Sequence, residues 1–579
     1  MVEFLKAQQV RLHDLFTRKL NPNLARICAN LFLGILFGFI WFLLLYGRET
    51  LFPTHVNWIY IRGGDVLQHQ LGWEWFRQEP WRFPLGRIEA YGFPFGTSVA
   101  FMDAIPLFAF PFKLLSPWLS ANFQYLGLWE MTSVIGQMTV GIFLLQEFTR
   151  SNPLKIIGAS LLVLSPPMIF RAFYHNSLTA HWILLAGIWF LILEHRHRLR
   201  WWAWPTLFAV TMLVHLYLLA MLLPIWAVSL FLYYRREKKA LFVFLEIALV
   251  IGCMGLLGYA IGYFGLPADD LIQGSFGNYS WNLNGLINPF GNASIFVHEL
   301  TLNSTNLGEG FSYLGLGFIL ILPVAIVLFL KKENLHGKMH LIISIGLISL
   351  FYCLFALSNK AYFNTQLLWD FPITGFPAKL LSAFRSSGRF IWPVFYFIAV
   401  FGVVSIVRNV PYPRAEYFLL FALFLQLADL QPLLTPRKIT EPSQFQSQFE
   451  SDFWQAAADA NDHLVLIPTD EVPSHTGQHL ALFARQNHLT FNWGYFARGP
   501  YRTIEKYANA IFDGLVAGKT DASTIYLFWE PEKKELARKQ LSSSMLLCDV
   551  DGYLAAFAPD NPITRADIDL APYCKAPTN

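Results

Sequence analysis

The sequence predicts an α-helical protein with many membrane-spanning segments, followed by a smaller α/β domain. Three observations lead to this fold class. The chain of 579 residues is 55% hydrophobic and only 14% charged, whereas soluble proteins carry roughly 25% charged residues. Apolar runs long enough to cross a bilayer recur as far as residue 431. Beyond that point the composition changes, and short strand-like and helix-like stretches alternate.

The apolar runs predict about 11 transmembrane helices, since roughly 20 apolar residues span a bilayer. The segments cover residues 28–48, 124–148, 156–172, 180–195, 202–216, 218–233, 240–263, 313–330, 339–357, 389–407 and 415–431. The fifth and sixth are short and contain proline, so a shallow hairpin is an alternative there. A further apolar run at 104–119 contains three prolines and predicts a re-entrant or interfacial element.

Basic clusters orient the chain, because positively charged loops stay on the cytoplasmic side. They lie before the first span and on alternate connections: "RLHDLFTRKL", "TRSNPLK", "HRHRLR", "YYRREKK", "KKENLHGK" and "VRNVPYPR". The N-terminus is therefore predicted to be cytoplasmic. The long loops 49–123, 264–312 and 358–388 and the tail then face the outside. We expect a multi-pass membrane protein.

The domain organisation follows from this topology. Residues 1–431 form the transmembrane domain, and residues 432–579 form an extracytoplasmic α/β accessory domain, since strands there interleave with helices. The tail carries no phosphate loop, nucleophile elbow or zinc spacing. Cys548 and Cys574 could pair in an oxidising compartment, although spacing alone does not establish a bridge.

Asp65 is the first candidate for chemistry. It lies in "YIRGGDVLQHQLGWEWFRQEP", directly after the first span. One interpretation is structural: Asp65 is an N-cap, with Gln68 at the capping-box position. The other is functional, because helical spacing stacks His69 and Trp73 above the acid. Aromatic rings beside an acid suit sugar binding, and they also suit a membrane-interface belt.

Other polar residues of the outer face are candidates for substrate contact. Asp103 borders the proline-rich run, and an ionisable residue beside an apolar segment is a functional candidate, with a solvated loop acid as the alternative. His175 and His181 lie at outer helix ends in "RAFYHNSLTAHW", and Glu309 lies between glycines in "NLGEGFSYLGLG". His215 lies inside an apolar run, where a hydrogen-bonded packing role is the simpler interpretation.

A basic cluster precedes the tenth segment, in "FPAKLLSAFRSSGRFIWP". Lys379, Arg385 and Arg389 there run against the positive-inside trend. Arginine forks match phosphate oxygens, and a turn before a helix adds backbone N–H donors. The cluster therefore predicts a phosphate site, with snorkelling or salt-bridged side chains as the alternative.

Four stretches resemble a known superfamily: "GGDVLQHQLGWEWFRQEPWRFPLG", "GTSVAFMDAIPL", "NLGEGFSYLGLG" and "FRSSGRFIWPV". They are similar to the GT-C membrane glycosyltransferases and, more narrowly, to a bacterial family of uncharacterised GT-C-like integral membrane proteins. The resemblance runs along nearly the whole chain, and it implies a multi-pass protein of a bacterial inner membrane. It implies an enzyme that moves a sugar, with inversion, from a polyprenyl-phosphate donor to a glycan, lipid or protein acceptor on the outer face.

The resemblance also implies roles for residues. Asp65 corresponds to the first-loop acid that acts as general base, and Asp103 to a second acid that in some members helps bind a metal or the acceptor. Arg389, with Arg385, would hold the donor phosphate, and Lys379 belongs to the same predicted phosphate-binding cluster. Asp65 follows Gly64 rather than another acid, so the use of a divalent cation such as Mg²⁺ or Mn²⁺ stays open.

Two other classes of function remain alternatives. One is a transporter or flippase for a lipid carrier or glycan, but no internal repeat is visible and the acids cluster at outer helix ends rather than at the midplane. The other is a non-enzymatic scaffold for envelope assembly. Nucleic acid is not expected as a partner, since the formal net charge is only +4.

Overall fold

The computed structural model describes residues 22–265, 276–291, 293–303, 305–331, 339–439 and 444–575. Most of the described chain before residue 440 is helical. These helices are α1 (Pro22–Tyr46), α2 (Asn57–Arg62), α3 (Gly64–Gln78), α4 (Pro106–Leu114), α5 (Leu126–Gln146), α6 (Asn152–Val163), α7 (Pro166–Arg171), α8 (Trp182–His195), α9 (Ala203–Met212), α10 (Leu216–Glu237), α11 (Ala240–Ile261), α12 (Leu316–Leu330), α13 (Met339–Leu357), α14 (Gly375–Ser382), α15 (Trp392–Asn409), α16 (Arg414–Asp429) and α17 (Gln431–Leu434).

The apolar helices make this a membrane protein. Within the described residues, seven helices are long and apolar enough to cross a membrane, and a pair bent by 56°, Arg414–Asp429 with Gln431–Arg437, would make an eighth. Each of the eleven predicted segments contains a helix, but α6, α9 and α12 are shorter apolar helices. The predicted count of 11 spans is therefore not confirmed. Proline and short length are the reasons, since 10 to 15 helical residues rise only about 15–22 Å.

The transmembrane helices pack closely where small residues meet. A Cβ atom on Gly34 or Gly38 of α1 would overlap Thr139 or Ile135 of α5. Without a hydrophobic driving force between helices in lipid, such close backbone approach is what van der Waals packing needs. In the central span, Ser387–Asn409, 83% of the residues in the apolar window are buried. In Ala240–Ile261 the share is 6%, so this helix faces outward.

The segment between α1 and α5 forms a layer over one end of the helices. It contains α2, α3, the short antiparallel pair β1 (Arg87–Ile88) and β2 (Thr97–Ser98), and α4. The helix α4 lies inside the proline-rich run 104–119 and does not count among the candidate spans. Another two-stranded hairpin, β3 (Lys360–Phe363) with β4 (Gln366–Asp370), follows α13.

The tail folds around a six-stranded mixed sheet. Its strands are β5 (His463–Ile467), β6 (Thr490–Phe491), β7 (Thr524–Phe528), β8 (Leu546–Val550), β9 (Tyr553–Phe557) and β10 (Cys574–Lys575), in the order β10-β8-β9-β7-β5-β6. Strand β5 pairs in parallel with β6 and β7, and the other pairs are antiparallel. The helices are α18 (Phe453–Asp459), α19 (Ser474–Gln486), α20 (Tyr501–Val516) and α21 (Pro531–Leu541). A disulfide joins Cys548 to Cys574 across β8 and β10.

The tail docks on the layer that holds α3. The Gln478 side chain accepts a hydrogen bond from the Gly64 amide at 2.8 Å and donates one to the Gly64 carbonyl at 2.7 Å. The Arg485 guanidinium lies 2.8 Å from the buried Glu74 carboxylate. These polar contacts hold α19 against α3. The tail is therefore in direct contact with the start of α3.

Candidate functional site

Asp65 lies in the first turn of α3, but it does not cap the helix. The helix begins at Gly64, and its N-cap is Gly63, which has no side chain to bond. Both glycines have positive φ, 61° and 60°, a conformation that a side chain at either position would disfavour. The N-cap interpretation of Asp65 was therefore wrong. Freed from capping, the carboxylate accepts a hydrogen bond from the Tyr495 hydroxyl at 3.2 Å.

A cavity of about 650 Å³ opens beside Asp65. Its ionisable lining comes from distant parts of the chain: Asp65, Asp103, His175, His215, Glu309, Arg385, Arg389 and Arg498. Tyr217, Tyr263, Tyr279, Tyr495 and Tyr501 add aromatic surface. The cavity thus unites the two predicted acids with the predicted arginines, and its size suits a sugar-phosphate.

The pKa of Asp65 is raised above the ordinary value of an aspartate. Burial is the largest cause, and the Glu309 carboxylate adds to it. Arg389, Arg171 and the Tyr495 hydroxyl act in the opposite direction. A raised carboxylate pKa in a cleft is typical of an acid–base group, because the group then exchanges its proton closer to neutral pH.

Asp103 lies on the other wall, held in a left-handed backbone conformation with φ of 50°. Its two carboxylate oxygens lie 3.6 Å from His175 Nε2 and 3.7 Å from His215 Nε2. Burial, and then the charge of Asp65, raise the pKa of Asp103 to about 7. The electrostatic repulsion between the two carboxylates indicates that both side chains face the same cavity.

His69 completes a group of potential metal ligands. The side chain is fully buried, and neither ring nitrogen has a hydrogen-bond partner within the described chain. Burial lowers the pKa of His69 to about 3, so the imidazole is neutral. Ligand atoms of His69, Asp103 and His175 all lie within 4.8 Å of one another. Two neutral imidazoles and a carboxylate fit a divalent transition metal better than Mg²⁺, which prefers oxygen ligands.

Glu309 binds two arginines at once. Its carboxylate lies 3.0 Å from Arg171 Nη2 and 2.6 Å from Arg389 Nη2. Burial alone would raise the pKa of Glu309, but the two guanidinium groups outweigh it and bring the pKa to about 2. The side chain of Glu309 is 25% exposed and the arginines less than 10%. Arg389 therefore reaches the cavity as part of an ion-paired cluster rather than as a free cation.

Arg385 and Arg498 are the cations with unpaired charge in this cavity. Arg385 lies over the Tyr279 ring, 5.9 Å from its centroid. Arg498 donates to the carbonyls of Ala383 and Ala497 at 3.1 and 2.9 Å. Of the described residues, no carboxylate lies within ion-pair distance of either guanidinium, although both act electrostatically on Asp103.

Four predicted residues lie outside the cavity lining: His69, described above, and Trp73, His181 and Lys379. Trp73 is fully buried and donates to the Phe123 carbonyl at 2.9 Å. His181 is fully buried, and its Nδ1 lies 2.9 Å from the Tyr396 hydroxyl. Lys379 is exposed on α14. Trp73 and His181 are held by packing contacts, and helical spacing alone could not distinguish these from cavity positions.

The tail contributes three cavity residues that were not predicted from the sequence: Tyr495, Arg498 and Tyr501. The sequence pattern around His215 favoured a packing role for that residue. The stretch "FNWGYFARGPY" contains all three tail residues. Its aromatic and arginine content was a signal, but only the folded tail brings it against α3. His215 Nδ1 accepts from the Tyr217 amide at 3.0 Å, while its Nε2 faces Asp103.

Comparison with known families and structures follows the same division of the chain. A family model described as a domain of unknown function, DUF6311, matches residues 35–431. The chain belongs to this family. A second model, the DUF6311 C-terminal domain, matches residues 453–558. The DUF6311 member described here thus has the two-part organisation of its family models. A search of curated proteins found no match.

Among solved structures, two forms of an archaeal oligosaccharyltransferase from Archaeoglobus fulgidus are similar. One, AglB with an inhibitory peptide and a dolichol-phosphate, aligns at a TM-score of 0.41 and 10% identity, and the other, tethered to an acceptor peptide containing the NVT sequon, at 0.43 and 12%. Each alignment covers 92% of this chain and 74% of the other. TM-scores this low do not establish a shared fold, so the activity has to be argued from the cavity.

Proposed function

We propose that this protein is an inverting glycosyltransferase that moves a sugar from a polyprenyl-phosphate donor to an acceptor on the outer face of the membrane. One observation carries the proposal. The cavity holds a carboxylate of raised pKa, Asp65, together with two cations, Arg385 and Arg498, that have no carboxylate partner among the described residues. A base and a phosphate-binding pair are what a single displacement at a glycosyl phosphate requires.

The reaction balances as one displacement. The acceptor hydroxyl oxygen forms a bond to the anomeric carbon while its proton passes to Asp65. The bond from the anomeric carbon to the phosphate oxygen breaks, and its electron pair leaves with the phosphate. The products are the glycosylated acceptor, with the anomeric centre inverted, and free polyprenyl phosphate.

Asp65 is the better of the two acids for the general base. Its carboxylate is positioned by the Tyr495 hydroxyl and by the rigid start of α3. Asp103 instead lies between His175 and His215. The two acids therefore have different environments, a separation of roles that active sites commonly use.

The leaving phosphate needs positive charge, which we assign to Arg385 and Arg498. Neither has a carboxylate partner among the described residues. The N–H groups of Arg385, and those that Arg498 does not donate to Ala383 and Ala497, can form hydrogen bonds to phosphate oxygens. Arg389 then acts through Glu309 as a positioning group and contributes long-range positive potential. Lys379 is not part of this assignment, because it does not line the cavity.

An apolar wall suits the lipid part of the donor. Leu216, Leu219, Ala220 and Leu223 of α10 line the same cavity as the charged groups. Leu216 and Leu223 are each 38% exposed on a helix that is long and apolar enough to span the membrane. The cavity therefore joins a charged chamber to lipid-facing surface, which allows a polyprenyl tail to stay in the bilayer.

A divalent cation is compatible with the site. His69, Asp103 and His175 would hold it, since their ligand atoms are close and His69 has no other polar partner in the described chain. Such an ion would supply positive charge near the phosphate or polarise the acceptor hydroxyl. Of these three residues, Asp103 and His175 line the cavity itself.

The test is transfer by the purified full chain in nanodiscs. The probes are synthetic polyprenyl phosphates carrying single hexoses or pentoses, with a membrane extract as acceptor, and release of polyprenyl phosphate is measured. Asp65→Asn should lower the rate by about 10²–10⁴-fold, whereas Asp560→Asn, at an exposed site of the tail, should not. Equal rates for Asp65→Asn and the unchanged protein would remove Asp65 as the base.

A further inference from the structure

A second polar cavity lies at the far end of the helices from Asp65. Its volume is about 530 Å³, and it lies between the start of α1, the end of α5, the start of α6 and the segment after α8. The lining includes Arg26, Asn30, Gln146, Glu147, Thr149, Arg150, Asn152, Lys155, Arg196 and Arg198. The span Ser387–Asn409 runs from Arg389 beside the first cavity to Arg408, whose guanidinium lies 5.8 Å from the ring of Phe148, a residue of the second.

This span sets the distance between the two cavities. Its helix α15 has 18 residues, a rise of about 27 Å. The second cavity is therefore near the opposite membrane surface, on the side that the basic loops predict to be cytoplasmic.

The lining of this cavity carries a large excess of positive charge. Arg26, Arg150, Lys155, Arg196 and Arg198 face a single acid, Glu147. Glu147 already bonds Arg196 at 3.2 Å and Arg198 at 2.5 Å, so it neutralises little of the remaining charge. Basic groups held this close repel one another, and an anion between them would relieve that repulsion.

The floor of the cavity is preorganised by buried polar side chains. Lys155 is 3% exposed, and its Nζ donates to the Asn30 Oδ1 at 2.7 Å. Asn30 is 1% exposed and donates in turn to Gln146. Helix α6 begins here behind Ser151, its N-cap, with Asn152 in the lining. The positive end of its dipole adds to the attraction for an anion.

We infer that this cavity is a binding site for a phosphate ester, separate from the transfer site. Arginine forks match phosphate oxygens, and the positive end of a helix dipole favours an anion. A phospholipid headgroup is the favoured source, since basic pockets between transmembrane helices on the cytoplasmic side bind such groups. A soluble phosphate compound would share the chemistry. The inference does not depend on the proposed glycosyl transfer.

The test uses the full chain in detergent with three probes: short-chain phosphatidylglycerol, short-chain phosphatidylcholine and inorganic pyrophosphate. The variant is Arg26→Gln/Arg150→Gln, two exposed positions whose change should leave the fold intact. Its matched control is Lys539→Gln/Arg565→Gln, also two exposed cations but in the tail. Binding is measured by native mass spectrometry and by titration.

Phosphatidylglycerol should bind the unchanged protein and the control more tightly than phosphatidylcholine does, and the variant should lose at least about tenfold of that affinity. If pyrophosphate binds with the same dependence and phosphatidylglycerol does not, the site takes a soluble phosphate compound. The inference fails if neither anionic probe prefers the unchanged protein over the variant.

Discussion

The Tyr495 hydroxyl donates a hydrogen bond of 3.2 Å to the Asp65 carboxylate, across 430 positions of the chain. Asp65 follows the first transmembrane helix, whereas Tyr495 follows the second strand of the tail sheet. The contact makes the tail a structural part of the cavity. A tail that carries no catalytic motif of its own can therefore still control the acid that we assign as general base.

Tyr495→Phe should move the pH dependence of transfer. The base acts as the carboxylate, so the rate should rise with pH through the raised pKa of Asp65. The Tyr495 bond lowers that pKa, and its loss should move the acid limb to higher pH and reduce kcat/KM by about tenfold. A pH–rate profile measures this. Tyr507→Phe, also in the tail but outside the cavity lining, should leave the limb in place; an unmoved limb in Tyr495→Phe contradicts the positioning role.

Arg385→Gln and Arg498→Gln should each weaken transfer. Each removes a charged hydrogen-bond donor for the phosphate, and we expect kcat/KM to fall about 10- to 100-fold. Lys379→Gln is the matched control, because Lys379 belongs to the same basic stretch but is exposed outside the cavity. Steady-state kinetics with a fixed acceptor give the values. A larger loss in Lys379→Gln than in Arg498→Gln would reverse the phosphate assignment.

Glu309→Gln should destabilise the protein. The change leaves Arg171 and Arg389 buried without their shared carboxylate. We expect the free energy of unfolding to fall by about 3 kcal/mol. Because the pKa of Glu309 is lowered to about 2, its stabilisation is present above the unfolded-state pKa and declines only as the pH falls toward 2. Thermal unfolding in detergent at neutral pH should therefore show a clear loss, with Glu532→Gln, an exposed acid of α21, as control. Equal melting curves would rule out a structural role for the pair.

His69→Ala should reduce the content of a bound divalent metal. The purified chain is loaded with Zn²⁺ or Mn²⁺, desalted and analysed by elemental mass spectrometry. The unchanged protein and His488→Ala, at an exposed site of the tail, should retain the ion, whereas His69→Ala should lose most of it. If the unchanged protein retains none, the group around His69 is a packed cluster of neutral imidazoles instead.

Much of the fold and part of the site could be predicted from the sequence, for identifiable reasons. Apolar length located the helices, because bilayer thickness sets it. Asp65, Asp103 and Arg389 were found because charged residues beside apolar segments are rare. The number of spans was harder to predict, since α9 has only 10 helical residues and the chain bends by 56° after Asp429. Length alone does not separate short spans from interfacial helices.

The remaining site residues depend on tertiary contacts that no local pattern contains. The side-chain contacts of Gly64, where α3 begins, come from Gln478 of the tail. Arg389 is not an unpaired cation, because its guanidinium forms an ion pair with Glu309. Trp73 and Asp65 share a helix face by spacing, yet the first packs on Phe123 and the second faces the cavity.

The most direct test of the central claim is a cryo-EM structure of Asp65→Asn with a polyprenyl-phosphate sugar bound. The account predicts phosphate oxygens about 3 Å from Arg385 and Arg498, the lipid tail along Leu219 and Leu223, and the side chain at position 65 on the face of the sugar opposite the phosphate. A donor bound outside this cavity, or with its phosphate beside position 65, would contradict the account.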